Sequence, residues 1–325
     1  MRIERPLLKL PIRFCGETLA REVQALPPGL WMEHPQKFDG NSAVPLVSPG
    51  GAMTNQWAGA MAPTEALHQC PYIMQIMAAL DSTWGRSRLM GLAPGAVVPS
   101  HVDIHYYWRT HLRLHIPVIT NPGVAFKCAG ETFHMEPGEC WILNSFFQHS
   151  VENRGQETRI HLVLDTMGSA RLWDLIEAAD QGTAAETTVA PESGSAPSLD
   201  FEQINAPAVM SPWEIRSHIA YLASWMDERR QIEAIERVLD RFLMAWGATW
   251  ARFETSDEGL PDYVRHLTEV RSALAKLSTG PILMRNRWDF QDSLQRFVFA
   301  NAIDPARLAQ SPSTAERPLQ SPRGT

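Results

Sequence analysis

Between Arg88 and Asp165 the chain is cut into short apolar runs that alternate with polar residues, and this alternation restricts the fold more than any other feature. RLMGLAP (88–94), HLRLHIPVI (111–119), VAFKC (124–128), CWILN (140–144), HSVEN (149–153) and TRIHLVLD (158–165) each read as a strand with two distinct faces. Pro94-Gly95, Asn121-Pro122-Gly123, Ala129-Gly130, Pro137-Gly138 and Asn153-Arg154-Gly155 separate them with turn chemistry. Many short strands at regular spacing predict a sandwich or jelly roll rather than a parallel sheet. A helix is expected before them in TEALHQCPYIMQIMAALDST, broken or started by Pro71.

The 325 residues exceed one ordinary core and suit a larger domain with a smaller one. Residues 1–175 are expected to form the β domain. Residues 176–200, which include the small, polar and acidic stretch QGTAAETTVAPESGSAPSLD, are expected to be a flexible linker. Residues 201–310 turn helical. Ser211 caps, Pro212 suits the first helical position, Glu214 completes a capping box, and Ile215, Ile219, Leu222 and Met226 recur at helical spacing. Trp213, Trp225, Trp246 and Trp250 are expected in the core of this helical domain, and residues 311–325 are expected to be a disordered tail.

Composition excludes some partners. Lys and Arg number 29 against 36 Asp and Glu, and the basic residues form no stripe, so no nucleic-acid partner is expected. No apolar run is long enough to span a bilayer. MRIERPLLKLPIRF has charges inside its apolar run and lacks a small-residue cleavage site, so a cytoplasmic chain without a signal peptide is expected. Cys15, Cys70, Cys128 and Cys140 form no CxxC pair and read as reduced structural thiols.

The chemistry gathers in HVDIHYYWRTHLRLHIPV (101–118). On an extended strand, residues two apart share a face, so His101 and Asp103 point the same way. An imidazole and a carboxylate so placed are two thirds of a facial iron site, and His149 is a candidate third ligand. Arg159 can hold a carboxylate bidentately and shares a face with His161. His111, Arg113 and His115 likewise share one face of their strand, with Leu112, Leu114 and Ile116 on the other. A charged ligand inside a β-sandwich needs such cations where water is scarce. His105 is read as an alternative ligand, a residue near substrate or a surface residue; His111 as structural; His161 as a carboxylate-orienting or packed core residue. The Gly/Pro-punctuated stretch 34–57 reads as a lid.

In order and spacing, His101-Val102-Asp103, LRLHIPV and FKCAGETFHMEPGECWILNSFFQHSVENRGQETRIHLVLD resemble the aspartyl/asparaginyl β-hydroxylase family, over about Trp84 to Asp165. The resemblance implies a mainly β fold with α, in which a cupin-like double-stranded β-helix precedes the C-terminal helical domain. It implies Fe(II), 2-oxoglutarate and O2 as cofactor and co-substrates, with His101, Asp103 and His149 on the metal and Arg159 on the distal carboxylate. Arg113 and His115 would form a second anion-binding pair for the co-substrate. Met90, with Ser87 close by, stands where a hydroxyl residue often helps to hold 2-oxoglutarate in this family, and the resemblance also implies that Asn41, Asn55 and Trp57 help to form the substrate pocket. The implied activity is hydroxylation of an amino-acid or peptidyl side-chain carbon, with release of succinate and CO2; a non-catalytic metal- or anion-binding sensor is the alternative. The helical domain would close over the pocket, bind a carrier partner or make a homodimer.

Overall fold

The computed structural model describes residues 3–34, 38–194, 197–277 and 280–310. The chain divides into two compact units after Ala206. Strands of the first unit are β1 (Leu7–Phe14), β2 (Met32–Glu33), β3 (Asn41–Pro49), β4 (Met61–Pro63), β5 (Thr83–Leu92), β6 (Val97–His101) and β7 (Leu112–Ile119). They continue with β8 (Val124–Cys128), β9 (Glu131–Phe133), β10 (Glu139–Leu143), β11 (His149–Asn153), β12 (Arg159–Gly168), β13 (Thr187–Val189) and β14 (Asp200–Phe201). Its helices are α1 (Gly16–Gln24), α2 (Glu65–His68), α3 (Pro71–Leu80), α4 (Tyr106–Thr110) and α5 (Ala170–Gln181). Pro71 both ends the first predicted helical piece and opens α3 at its first position.

The large sheet runs β13-β1-β10-β7-β12-β5-β3-β2, with β14 also on β5 and β4 on β3; the small sheet runs β6-β11-β8-β9. All the pairs are antiparallel except β1 with β13 and β5 with β14. Neighbouring strands far apart in sequence make this the double-stranded β-helix. The alternation in β7 and β12 does the sorting. Leu112, Leu114, Ile116 and Val118, with Ile160, Leu162 and Leu164, join one apolar core with Leu19 of α1, Ile76 of α3 and Leu172 of α5. Each fully buried Leu or Ile contributes roughly 1.5–3 kcal/mol. Arg113, His115, Arg159 and Val163 consequently face the other way and line a cavity. Leu92, Phe126, Leu143 and Val151, drawn from both sheets, form a smaller apolar cluster beside it.

Two expectations about organisation are corrected. The segment 176–200 is not a free linker, because α5 buries Leu172 and Ile176, β13 pairs with β1 and β14 pairs with β5. Backbone pairing needs no large side chains, so a composition poor in apolar residues does not forbid it. Residues 195–196 and the expected tail 311–325 lie outside the described residues. Within stretch 34–57, Asn41–Pro49 forms the sheet strand β3 rather than a loop.

The second unit contains α6 (Pro212–Ala223), α7 (Glu233–Phe253), α8 (Leu260–Ala275), α9 (Phe290–Leu294) and α10 (Pro305–Gln310). The Ser211 hydroxyl accepts from the Glu214 amide, as the capping pattern predicts. Trp225 and Trp246 are core residues, but Trp213 is 70% exposed. It sits in the first turn of α6 on the face away from Ile215, Ile219 and Leu222, which are buried.

Candidate metal centre

β6 and β11 are neighbours in the small sheet, and their register sets His101 opposite His149. The two rings lie 4.2 Å apart, centre to centre. Asp103 falls two residues past the end of β6, with its amide donating to the Ser145 carbonyl at 3.0 Å. Its Oδ1 reaches to 3.7 Å from His101 Nε2. One donor atom from each of His101, Asp103 and His149 lies within 4.8 Å of the others, close enough to hold one cation.

Both imidazoles are oriented by backbone carbonyls two residues upstream. His101 Nδ1 is 2.8 Å from the Pro99 carbonyl oxygen and His149 Nδ1 is 2.9 Å from that of Phe147. With Nδ1–H donated there, Nε2 keeps its lone pair for a metal. The third group is held as well: Arg113 Nη1 donates to Asp103 Oδ2 at 2.7 Å. Burial alone would push the Asp103 carboxyl up, but Arg113 and the two histidines outweigh it and hold it below its usual value. Two nitrogens and one carboxylate oxygen, each steadied by a further hydrogen bond, fit a divalent iron with open positions.

His149 is pushed down to about 4, first by burial, with Asp103 opposing. The neutral form of His149 therefore persists well below pH 6. The unfolded chain takes up a proton near 6.5 where the folded chain does not. Stability is therefore expected to fall as pH drops from 6.5 towards 4, by on the order of 3 kcal/mol from this residue. Denaturant unfolding of the metal-free protein across that window measures it; an unchanged midpoint would contradict a buried neutral His149.

The cavity beside the triad carries a second feature. Arg159 is 4% exposed, and its Nε and Nη2 have no hydrogen-bond partner among the described residues. Burial pushes its guanidinium down to about 9. Leu92, Phe126, Leu143, Val151 and Val163 supply apolar wall around the same space. His115 lines it too, with neither ring nitrogen partnered among the described residues; burial, then Arg159, holds it neutral. Buried polar groups left unpaired are expensive. An apolar sleeve containing an unengaged guanidinium fits a short diacid such as 2-oxoglutarate.

The structure departs from several sequence expectations. Arg113 is not a free anion binder: its Nε and Nη2 donate to Asp165 at 2.8 and 3.0 Å and its Nη1 to Asp103. It brackets the Asp103 carboxylate, while His115 remains open to the cavity. His105 lies outside the three-donor cluster, and its Nδ1 caps α4 by accepting from the Tyr107 amide at 3.1 Å. His111 ends α4 rather than lying on β7, and its Nε2 is 2.8 Å from Glu202 Oε1. His161 lies behind His115, 5.9 Å away between ring centres. Met90 is on the cavity wall, and the Ser87 hydroxyl turns to the Gly85 carbonyl. Asn41 and Asn55 line the cavity, whereas Trp57 packs on His105 at 4.6 Å.

Sequence reasoning missed Asp165, Arg86, Arg88, His34 and Trp108. Asp165 had a signal, since positions 159, 161, 163 and 165 share a face of β12. Arg86 and Arg88 also had one, two apart in GRSRLM, but the predicted strand began too late.

Strand order and site together define the first unit as a double-stranded β-helix protein with a His/Asp/His cluster between its sheets. Within that class, residues 50–168, which include the triad and Arg159, match the family model of the aspartyl/asparaginyl beta-hydroxylases. The L-proline cis-4-hydroxylase of Rhizobium meliloti (strain 1021) is 31% identical over 84 residues, 26% of this chain. The match spans only 30% of that relative's length. Among solved structures, a Pseudomonas putida prolyl-4-hydroxylase aligns over 50% of this chain and 93% of its own, at 12% identity and a TM-score of 0.35. A 2OG-Fe(II) oxygenase family oxidoreductase from Burkholderia pseudomallei aligns over 48% and 93%, at 12% and 0.34. No helix among the described residues is long and apolar enough to cross a membrane.

Proposed function

We propose that the first unit is an iron(II)- and 2-oxoglutarate-dependent hydroxylase acting on an amino-acid or peptidyl side-chain carbon. The observation that carries the reading is the pairing of a pre-oriented His101/Asp103/His149 cluster with the buried, unengaged guanidinium of Arg159 in one cavity. The family of residues 50–168 and the proline-hydroxylating relative support an amino-acid-like substrate.

His101, Asp103 and His149 would hold the metal. Bound there with 2-oxoglutarate and O2, iron(II) supplies one chemistry: oxidative decarboxylation of the keto-diacid to succinate and CO2, coupled to insertion of an oxygen atom into a substrate C–H bond. Arg159 fixes the far carboxylate, and a bidentate charge-assisted pair in an apolar sleeve sets its direction as well as its strength. Neutral His115 offers a ring N–H to the same ligand. Arg113 keeps Asp103 from rotating off the metal position. Val98, Val151 and the other apolar walls exclude water from the reacting atoms.

Anaerobic addition of Fe(II) and 2-oxoglutarate to the full chain is expected to give a weak visible charge-transfer band, followed by succinate in air. Neither appearing would sink the reading and leave a metal- or anion-binding module. Arg159→Leu is expected to weaken 2-oxoglutarate binding about a hundredfold, since losing one partner of a buried charge pair costs about 3 kcal/mol. Titration of the visible band with 2-oxoglutarate measures this, and an unchanged midpoint would remove Arg159 from the site.

A further inference from the structure

We infer that this cavity selects a net-anionic substrate, gripped by the guanidinium groups of Arg86 and Arg88, over neutral amino or imino acids. The inference deepens the function proposed above and rests on it for the identity of the site as a substrate pocket.

Arg86 and Arg88 are two apart on β5, so they share a face, and both line the cavity with Asn55. They are only 6% and 5% exposed. Arg86 Nη1 donates to the Asn55 backbone carbonyl and Arg88 Nη1 to Asn55 Oδ1, each at 3.3 Å. Arg86 Nε and Nη2 have no hydrogen-bond partner among the described residues. The carboxylate nearest to Arg86 is Asp165, at 3.8 Å, and Asp165 already receives two hydrogen bonds from Arg113. Among the described residues no carboxylate lies within ion-pairing distance of Arg88. Trp108 lies beside Arg86, its ring centre 5.5 Å from the guanidinium carbon, and adds face contact but no charge.

The cavity's charges do not balance. Four guanidinium groups, those of Arg86, Arg88, Arg113 and Arg159, line the cavity with one carboxylate, Asp103, and a second carboxylate, Asp165, is bound to Arg113 beside it. Glu202 is engaged elsewhere, by His111 and Asn205. His34 brings no charge, being pushed down to about 4 by burial and by the two arginines. A dication and a keto-diacid dianion cancel, so the excess of two positive charges passes to whatever fills the remaining space. Burial and the neighbouring guanidinium groups also push Arg88 well down, as expected of a cation without a counter-ion. Arginine forks match carboxylates bidentately, and a buried charge left unpaired is strongly unfavourable. A neutral amino acid brings one carboxylate but also an ammonium group. The cavity carboxylate Asp103 and its neighbour Asp165 are already held by Arg113, leaving Asn41 and Asn55 as uncharged acceptors. An additional acid group answers this arrangement better than an additional cation.

The test is equilibrium binding by calorimetry to the full chain, anaerobic, with Fe(II) and saturating 2-oxoglutarate. The probes are L-glutamate and L-aspartate against their near-isosteric amides L-glutamine and L-asparagine, and against L-proline. The better acid is expected to bind at least tenfold more tightly than its own amide and than L-proline. Arg88→Met is expected to reduce that ratio to below about threefold, and Arg88→Lys to restore part of it, with thermal melts confirming that both variants fold. Amides or L-proline binding as well as the acids, or an acid preference unchanged in Arg88→Met, would overturn the inference. The visible band reports separately on the metal and co-substrate, so loss of the band counts against the proposed function and loss of the acid preference against this inference.

Discussion

Asp103→Ala is expected to lose at least a hundredfold in Fe(II) affinity and essentially all substrate-dependent succinate release. The expectation comes from what Asp103 does on both sides. One oxygen faces His101 at 3.7 Å and completes the only three-donor cluster of His, Cys, Asp and Glu found among the described residues. The other accepts from Arg113. Outer partners of metal ligands alone are worth about 10–100-fold in affinity, so removing a ligand itself exceeds that range. Truncation also leaves Arg113 Nη1 aimed at the vacated position, where a cation repels a cation. Competition against a fluorescent chelator measures the affinity, and coupled succinate detection measures the turnover. Wild-type turnover in this variant would establish a two-histidine site.

Asp165→Asn is expected to be the most destabilising polar substitution in the first unit. Asp165 is 1% exposed and accepts both Arg113 bonds, with Arg86 at 3.8 Å. The asparagine fills the same space but leaves two buried guanidinium groups with one fewer counter-charge. Breaking a buried pair in this way costs about 3–5 kcal/mol. For a unit of this size that is a fall of roughly 10 °C in melting temperature. Arg113, released on one side, also steadies Asp103 less well, so Fe(II) affinity should drop by about 10–100-fold. The surface pair Arg5–Asp180, 59% exposed on each side, supplies the control, since Asp180→Asn should leave the midpoint unchanged. Equal melting of the two variants would mean that the Asp165 pair carries no structural weight.

The parts of the site legible in sequence are those set by strand alternation. Residues two apart on β7 and β12 had to share faces once Leu114, Ile116, Leu162 and Leu164 were assigned inward, which put His115 and Arg159 on the ligand side. His101 and Asp103 followed from the same rule, although β6 ends at His101 and the aspartate is positioned by its amide bond to Ser145. What stayed hidden was pairing. Alternation shows which face Arg113 occupies, but not that Asp165, 52 residues later, closes on it when β7 and β12 come into register. Prolines at positions 45 and 49 disguised β3, and a composition poor in apolar residues disguised the backbone pairing of β13 and β14. His105 was ambiguous because a capping imidazole and a ligating one look alike until the start of α4 is known.

The bonds from His101 and His149 to carbonyls two residues upstream on their own segments carry a consequence for loading. Each ring is held in its rotamer by a backbone carbonyl of its own segment, so the fold itself orients both donors. Iron entry then fills a prepared socket instead of assembling one. Chelators should strip the ion without unfolding the chain, and other divalent ions of similar radius should compete for the same seat as inert plugs.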